Sequence, residues 1–337
     1  MTMATTRLFK VSPSPHVHQP QDVKQIMYGV ILALLPALAV SVYVFGLPAL
    51  LLTILSVLFC VITEYLIARF WLGQPSRILD GSAVITGILL AFNVPANLPW
   101  YILLAGSIVA IGIGKLTFGG LGKNPFNPAL VGRVFLLISF PVQMTHWPAA
   151  QPGSWWPTDG QSGATVLGLV KEGLHEGKPL GEIAAEIPGY WSLFLGGHGG
   201  SLGEISAAAL LLGLGFLFYK RIVTWHIPVS MLGSMAVFAG ITWAIDPTTY
   251  LSPMFHLLTG GAILGAVFMA TDYTTSPMTH RGMILFGIGI GCITMVIRLF
   301  GAYPEGVSFA ILIMNAFVPL INKYVKPRRF GTPTTFR

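Results

Sequence analysis

The sequence predicts an all-α polytopic membrane protein of about ten transmembrane helices, arranged as two inverted repeats of five. Three observations lead there. Only 9% of the 337 residues are charged, against 54% hydrophobic, whereas a soluble domain carries roughly 25% charged residues. The apolar residues gather into ten runs. When those runs alternate across a membrane, 16 of the 19 Lys and Arg fall on one side, as cytoplasmic loops require. So few polar side chains cannot cover a water-facing surface, which excludes a soluble enzyme, a disordered chain and a disulfide scaffold.

A hydrocarbon core about 30 Å thick takes about 20 apolar residues as a helix. Residues 1–25 are polar and are expected to be a cytoplasmic segment without a cleavable signal peptide. The first repeat, 26–142, holds runs at 26–45, 48–71, 79–92, 99–118 and 126–142. Its third run is short and leads into Asn93-Val-Pro-Ala-Asn-Leu-Pro99. A Trp- and Gly-rich loop, 143–203, follows on the non-cytoplasmic side; loops of that length are functional or disordered. The second repeat, 204–322, holds runs at 204–220, 225–244, 254–270, 281–300 and 306–322. Its third run is also short and leads into Asp272-Tyr-Thr-Thr-Ser-Pro277. A basic cytoplasmic tail, 323–337, closes the chain. Short helices at matching places in two halves point to a binding site near the midplane.

In this topology Lys115, Lys123 and Arg133 count as cytoplasmic, and only Lys171, Lys178 and Arg298 lie outside. The net charge of +7 therefore reflects orientation, and no nucleic-acid partner is expected. Cys60 and Cys292 each sit in an apolar run without CxxC spacing and read as packing residues.

The duplication rests on two pairs of segments. Gly81-Ser-Ala-Val-Ile-Thr-Gly87 precedes Ile111-Gly-Ile-Gly114 by 30 residues, and Gly260-Gly-Ala-Ile-Leu-Gly265 precedes Ile288-Gly-Ile-Gly291 by 28. Offsets of 179 and 177 fit a copy of five spans. An odd number of spans places the copies upside down relative to each other. The plainer alternative is that small residues recur wherever helices touch.

The outer loop contains Asp159-Gly-Gln-Ser-Gly-Ala-Thr165, followed by an apolar stretch from Val166 to Val170. Small residues at Ser162, Gly163 and Ala164 would leave the Thr165 hydroxyl open to a phosphate and a modifying enzyme. Backbone N–H groups near glycines accept such a phosphate, and Asp159 would help bind a metal carried by the donor. The alternative is a turn with Ser162 capping a short helix.

Near the cytoplasmic side, Asn124 and Asn127 either coordinate an ion or ligand or satisfy a broken helix end. Asp272, with Thr271, Thr275 and Ser276, either binds a ligand hydroxyl or a cation, or caps the next helix. Asp80 is expected to pair with Arg77 or to join a ligand site. Glu64 is expected to hydrogen-bond or pair, and Arg298 to snorkel or to meet an anion. His16-x-His18 is no ligand cluster, and no HExxH or serine–histidine–acid arrangement is visible. Gly287-x-Gly-x-Gly291 follows no strand and reads as helix packing.

Ser14-Pro-His16, Gly122-Lys-Asn-Pro-Phe-Asn-Pro-Ala129, the D-x-x-S-G-A-T run, Ala270-Thr-Asp272 with Thr275-Ser-Pro277, and Phe300-Gly-Ala-Tyr-Pro-Glu-Gly-Val307 together carry a resemblance. The chain resembles the family of the D subunit of the Rnf electron-transport complex and the B subunit of the sodium-pumping NADH:quinone oxidoreductase, and is nearer the Rnf branch. That resemblance implies a membrane flavoprotein subunit of an ion-translocating (Na⁺ or H⁺) ferredoxin:NAD⁺ oxidoreductase, relaying electrons across the bacterial cytoplasmic (inner) membrane. It implies FMN in phosphoester linkage to Thr165, and a second, non-covalent flavin, riboflavin. Asn124, Asn127, Thr271, Asp272 and Thr275 are the candidates for that second flavin or for an ion path. The A, B, C, E and G subunits of the Rnf complex and a flavin transferase are the implied partners, with no metal site and no stand-alone catalytic site. A small-solute channel or transporter on the same inverted-repeat fold is the rival reading, but it has no use for D-x-x-S-G-A-T on an outer loop.

Overall fold

The computed structural model describes residues 22–73, 78–156 and 162–327. Helix α1 (Val23–Phe45) ends at Gly46, whose φ of 70° turns the chain directly into α2 (Leu47–Leu66), with Pro in its first turn. Helix α2 continues through a π turn, Ile67–Trp71. Helix α3 (Ser82–Phe92) is short, as expected. Asp80 starts it, accepting at Oδ1 from Ser82 N at 2.8 Å and Ser82 Oγ at 2.6 Å. Arg77, the partner expected for Asp80, lies outside the described residues. Helix α4 (Trp100–Ile108) runs on through the π turn Val109–Ile113, and α5 (Pro128–Ser139) and α6 (Pro141–Thr145) complete the first half.

The long loop has structure of its own. Strands β1 (Trp147–Pro148) and β2 (Ser162–Gly163) pair antiparallel, with Trp147 opposite Gly163. Three short helices follow, α7 (Val166–His175), α8 (Leu180–Glu186) and α9 (Tyr190–Leu195). They bury Val166, Leu167, Val170, Ile183 and Leu193, so this loop is held down by apolar contact.

The second half comprises α10 (Ala207–Tyr219), α11 (His226–Ile245), α12 (Pro253–Leu258), α13 (Ala262–Leu264), α14 (His280–Phe300) and α15 (Val307–Tyr324). The run expected at 254–270 is broken rather than merely short. It stops after Leu258 and resumes at Ala262, then finishes in the π turn Gly265–Met269. Gly260 and Gly261 both have φ of 65°, which a right-handed helix cannot carry.

Among the described residues, six helices are long and apolar enough to cross a membrane: Val23–Phe45, Leu47–Trp71, Trp100–Phe118, His226–Ile245, His280–Phe300 and Val307–Tyr324. Shorter apolar helices are Ser82–Phe92, Pro128–Ser139 and Ala207–Tyr219. Helix α2 lies against α3 and α4, and α4 against α5; α11 lies against α12 and α14, and α14 against α15. The halves meet where α1 packs on α10 and α5 on α15. Between α11 and α14 the backbones approach closely, because a methyl on Gly287 would stand 1.9 Å from Ser230 Oγ and one on Gly291 2.0 Å from Ser234 Oγ. That is the packing role expected for Gly287-x-Gly-x-Gly291. The face holding the start of α3 and the end of α15 is called inner below, and the opposite face outer.

Candidate functional site

At the inner face one cavity gathers four of the five residues singled out there. Asn124, Asn127, Thr271 and Asp272 all line it, together with Ser82, Thr86, Lys115 and Thr274. Asn127 caps α5, accepting at Oδ1 from Ala129 N at 3.1 Å and Leu130 N at 3.4 Å, while its Nδ2 donates to Met269 O at 3.2 Å. It therefore satisfies a broken helix end on both sides. Asn124 donates to Phe126 O at 3.1 Å and Thr274 Oγ1 at 3.0 Å, and its buried Oδ1 has no partner among the described residues. Asp272 Oδ2 accepts from Thr274 Oγ1 at 2.9 Å and from Thr275 Oγ1 at 3.3 Å, which brings Thr275 to the same place. Glu64 pairs, as expected: its Oε2 lies 2.7 Å from Lys115 Nζ, which also donates to Ser82 Oγ at 2.7 Å.

A line of polar contacts runs from this cavity toward the outer face. Asn93 Nδ2 donates to Leu89 O at 2.6 Å and reaches Met269 Sδ at 3.8 Å. Arg133 donates from Nε to Asn93 O at 3.3 Å, from Nη1 to Ser308 Oγ and from Nη2 to Glu305 Oε2. Arg133 thus belongs to the interior, 6% exposed, and not to a cytoplasmic loop. The positive-side count misassigns it because its partner is 172 residues away. Lys115 is buried too, 2% exposed, but at the inner face, where it lines the cavity.

The outer end centres on the break between α12 and α13. Arg298 donates to His256 O at 2.6 Å, Thr259 O at 2.8 Å and Gly260 O at 3.0 Å. It is 6% exposed and caps the carbonyls freed where α12 stops, so it does not snorkel. Helix α7 lies over this point. Its first turn is headed by Thr165, whose Oγ1 accepts from Gly168 N at 3.1 Å. The cap is therefore Thr165 itself, while Ser162 sits in β2. Beneath α7 a second cavity is lined by Leu167, Val170, Lys171, Phe255, His256 and Arg298, among others. Lys171 donates to Gly301 O and to Tyr303 O, the latter at 3.0 Å, tying α7 to the end of α14. Desolvation holds the Lys171 ammonium below its usual range.

The sequence profile of the family described as NQR2, RnfD, RnfE matches residues 10–331. The chain belongs to that family. As an NQR2, RnfD, RnfE family member it is 43% identical to the D subunit of the proton-translocating ferredoxin:NAD(+) oxidoreductase complex of Clostridium ljungdahlii, over 96% of this chain and 97% of the relative. It is 46% identical to the D subunit of the Na(+)-translocating ferredoxin:NAD(+) oxidoreductase complex of Acetobacterium woodii, over 95% of each. Identity to the D subunit of the ion-translocating oxidoreductase complex of Stutzerimonas stutzeri is 44%, over 92% of each.

Of the D-x-x-S-G-A-T run in this NQR2, RnfD, RnfE family chain, Asp159 lies outside the described residues. Gly163 is exposed, Ala164 half-buried and Thr165 buried. Sequence reasoning missed the interior roles of Lys115, Arg133, Glu204 and Glu305. The available signal was a charge inside, or directly beside, an apolar run.

Proposed function

We propose that this chain is the D subunit of an ion-translocating ferredoxin:NAD⁺ oxidoreductase complex of the bacterial inner membrane, relaying electrons through FMN esterified to Thr165. The observation that carries the reading is the D-x-x-S-G-A-T run, whose last residue heads α7 in a chain that matches its D-subunit relatives along most of its length. An anion esterified to Thr165 lies at the N-terminus of α7, where first-turn N–H groups and the helix dipole favour negative charge. The adjoining cavity offers apolar walls from Leu167, Val170 and Phe255 with Lys171 and Arg298 at its edge, a lining suited to a flat, partly polar ring. FMN supplies the electron transfer; the chain fixes its depth, excludes water and sets the local field.

In this reading the six long helices, the three shorter apolar ones and the broken α12–α13 make ten membrane elements in two inverted halves, 26–142 and 204–322. Aromatic side chains exposed at the two faces, Trp71, Trp225 and Tyr324 at the inner and Trp100, Trp191 and Trp243 at the outer, fit interfacial belts. The termini are cytoplasmic and the loop 143–203 periplasmic. The inner cavity of Asn124, Asn127, Thr271 and Asp272 is the place for a non-covalent riboflavin or for the path of Na⁺ or H⁺. The A, B, C, E and G subunits are the partners, and a flavin transferase loads Thr165.

The test is in-gel fluorescence of the denatured chain under ultraviolet light, with mass spectrometry of the Thr165 peptide. A fluorescent band, lost in Thr165→Val, and a peptide heavier by FMN less water are expected. A Thr165→Val chain that remains fluorescent would overturn the attachment.

A further inference from the structure

Two buried glutamates and two buried arginines meet at the outer end of the polar line, and the flavin reading assigns neither glutamate a task. Glu204 lies in the loop ahead of α10, and Glu305 in the loop ahead of α15; Arg133 comes from α5 and Arg298 from α14. All four are under a tenth exposed. Glu204 Oε1 accepts from Ser201 N at 3.1 Å. A methyl on Gly261 would stand 3.4 Å from Glu204 Oε2, so this carboxylate abuts the helix break. Leu167 of α7 and Arg298 press on the adjoining Gly260, 2.2 Å and 2.6 Å from where its methyl would be. Glu204 and the Thr165 helix therefore both lie against one two-residue break.

The four charges are not equivalent. Arg133 is neutralised by Glu305. Arg298 directs its terminal nitrogens to three carbonyls, and its buried Nε has no partner among the described residues. Glu204 feels Glu305 and Arg133 through space, and its Oε1 holds a backbone donor. Burial, and then Glu305, push its carboxyl up to about 8. A small cavity lies beside it, lined in part by Gly261, Ala262 and Leu258. His198, in the same loop as Glu204, is buried as well.

We propose that Glu204 is a proton-binding site at the α12–α13 break, framed by Glu305, Arg133 and Arg298, whose occupancy follows the charge on the group carried by Thr165. The link to Thr165 rests on the flavin reading above. Were one electron to reach a flavin held at Thr165 from a reduced partner of the complex, one proton would leave hydronium in the outer water, breaking an O–H bond there, and join the Glu204 carboxylate, forming its O–H bond. No other bond breaks, and the summed charge of the region is unchanged. When the electron leaves, that proton returns to water. In a medium of low dielectric an uncompensated electron is far costlier than in water, and a nearby carboxylate able to change charge removes most of that cost.

The experiment uses the purified complex and infrared difference spectra, recorded in H₂O and D₂O. Without redox change, stepping the pH through the neutral range is expected to produce a carboxylic-acid C=O band that is absent in Glu204→Gln and displaced in Glu204→Asp. Reduction at a fixed pH within that step, where the carboxylate is still partly ionised, is expected to increase the same band. A spectrum without that band in the native complex, or with the band intact in Glu204→Gln, overturns the proton site. A band that follows pH but ignores reduction, in a complex whose subunit is fluorescent, overturns the coupling. Lack of fluorescence overturns the flavin reading instead, while the pH-step band still decides the proton site.

Discussion

Lys115 and Glu64 face each other at 2.7 Å, 2% and 4% exposed, and join the end of α4 to α2 across 51 residues of sequence. The pair also reaches the start of α3, since Lys115 Nζ donates to Ser82 Oγ. It closes one wall of the inner cavity. A buried pair is costly to break because the survivor keeps its charge without a partner. Glu64→Ala is expected to destabilise the chain by about 3–5 kcal/mol, read as a lower midpoint of thermal unfolding in detergent. The double variant Glu64→Gln/Lys115→Met should recover most of that loss. A double variant as unstable as the single one would show that packing, not charge, sets the effect.

Gly260 offers a sharper test of the break. Its φ of 65° disfavours any side chain, and a methyl would meet Leu167 and Arg298. Gly260→Ala is expected to cost at least about 1–2 kcal/mol from the backbone alone. The readout is faster proteolysis within 166–175, since α7 loses its seat. Gly233→Ala, where a methyl meets nothing within 4 Å, is the control and should leave cleavage unchanged.

Thr165 has a structural role that is separable from any modification. Its Oγ1 caps α7 through Gly168 N. Thr165→Val should destabilise the α7 region by about 1 kcal/mol, seen as weaker amide-exchange protection at 166–170. Thr165→Ser should retain that protection.

His198 makes the outer loop sensitive to acid. Burial pushes its imidazole down to about 4 from 6.5. The neutral form is thus favoured in the folded chain, while the unfolded chain takes the proton below about pH 6.5. Stability from this group is complete above pH 6.5 and falls as the pH drops toward 4, by at most about 3 kcal/mol. Exchange protection across 196–206 should decline over that window in the native chain. His198→Gln should flatten that part of the decline; an identical decline would assign it to carboxylates.

The membrane character, the helix sequence and the brevity of α3 are legible in the sequence because they depend on runs of apolar residues. Asn124, Asn127, Thr271 and Asp272 are legible because polar residues at a helix break must find partners. The break at Gly260–Gly261 is visible only as a short run, since backbone dihedrals leave no mark on hydropathy. Arg133 is misplaced, and Arg298, although on the correct side, is misread as snorkelling, because counting charges by loop assumes that a cation beside an apolar run faces water. Their partners, Glu305 and the carbonyls of 256–260, lie 38 to 172 residues away, and no local pattern connects them. Sequence alone favours Ser162 over Thr165 as the cap, because the Gly-Ala pair between them leaves the start of α7 open.

The bond from Lys171 to Gly301 spans 130 residues, and it sets an order of events during synthesis. Thr165 and α7 leave the ribosome long before Gly301 and Tyr303 exist. Until α14 is complete, α7 lacks the Lys171 anchor at Gly301 and Tyr303, and its leading threonine is less covered than in the finished fold. Once the chain is finished, Thr165 is 5% exposed. If Thr165 carries the modification proposed above, the enzyme that adds it has its best access to the nascent chain, and maturation of this subunit becomes a matter of timing as much as of recognition.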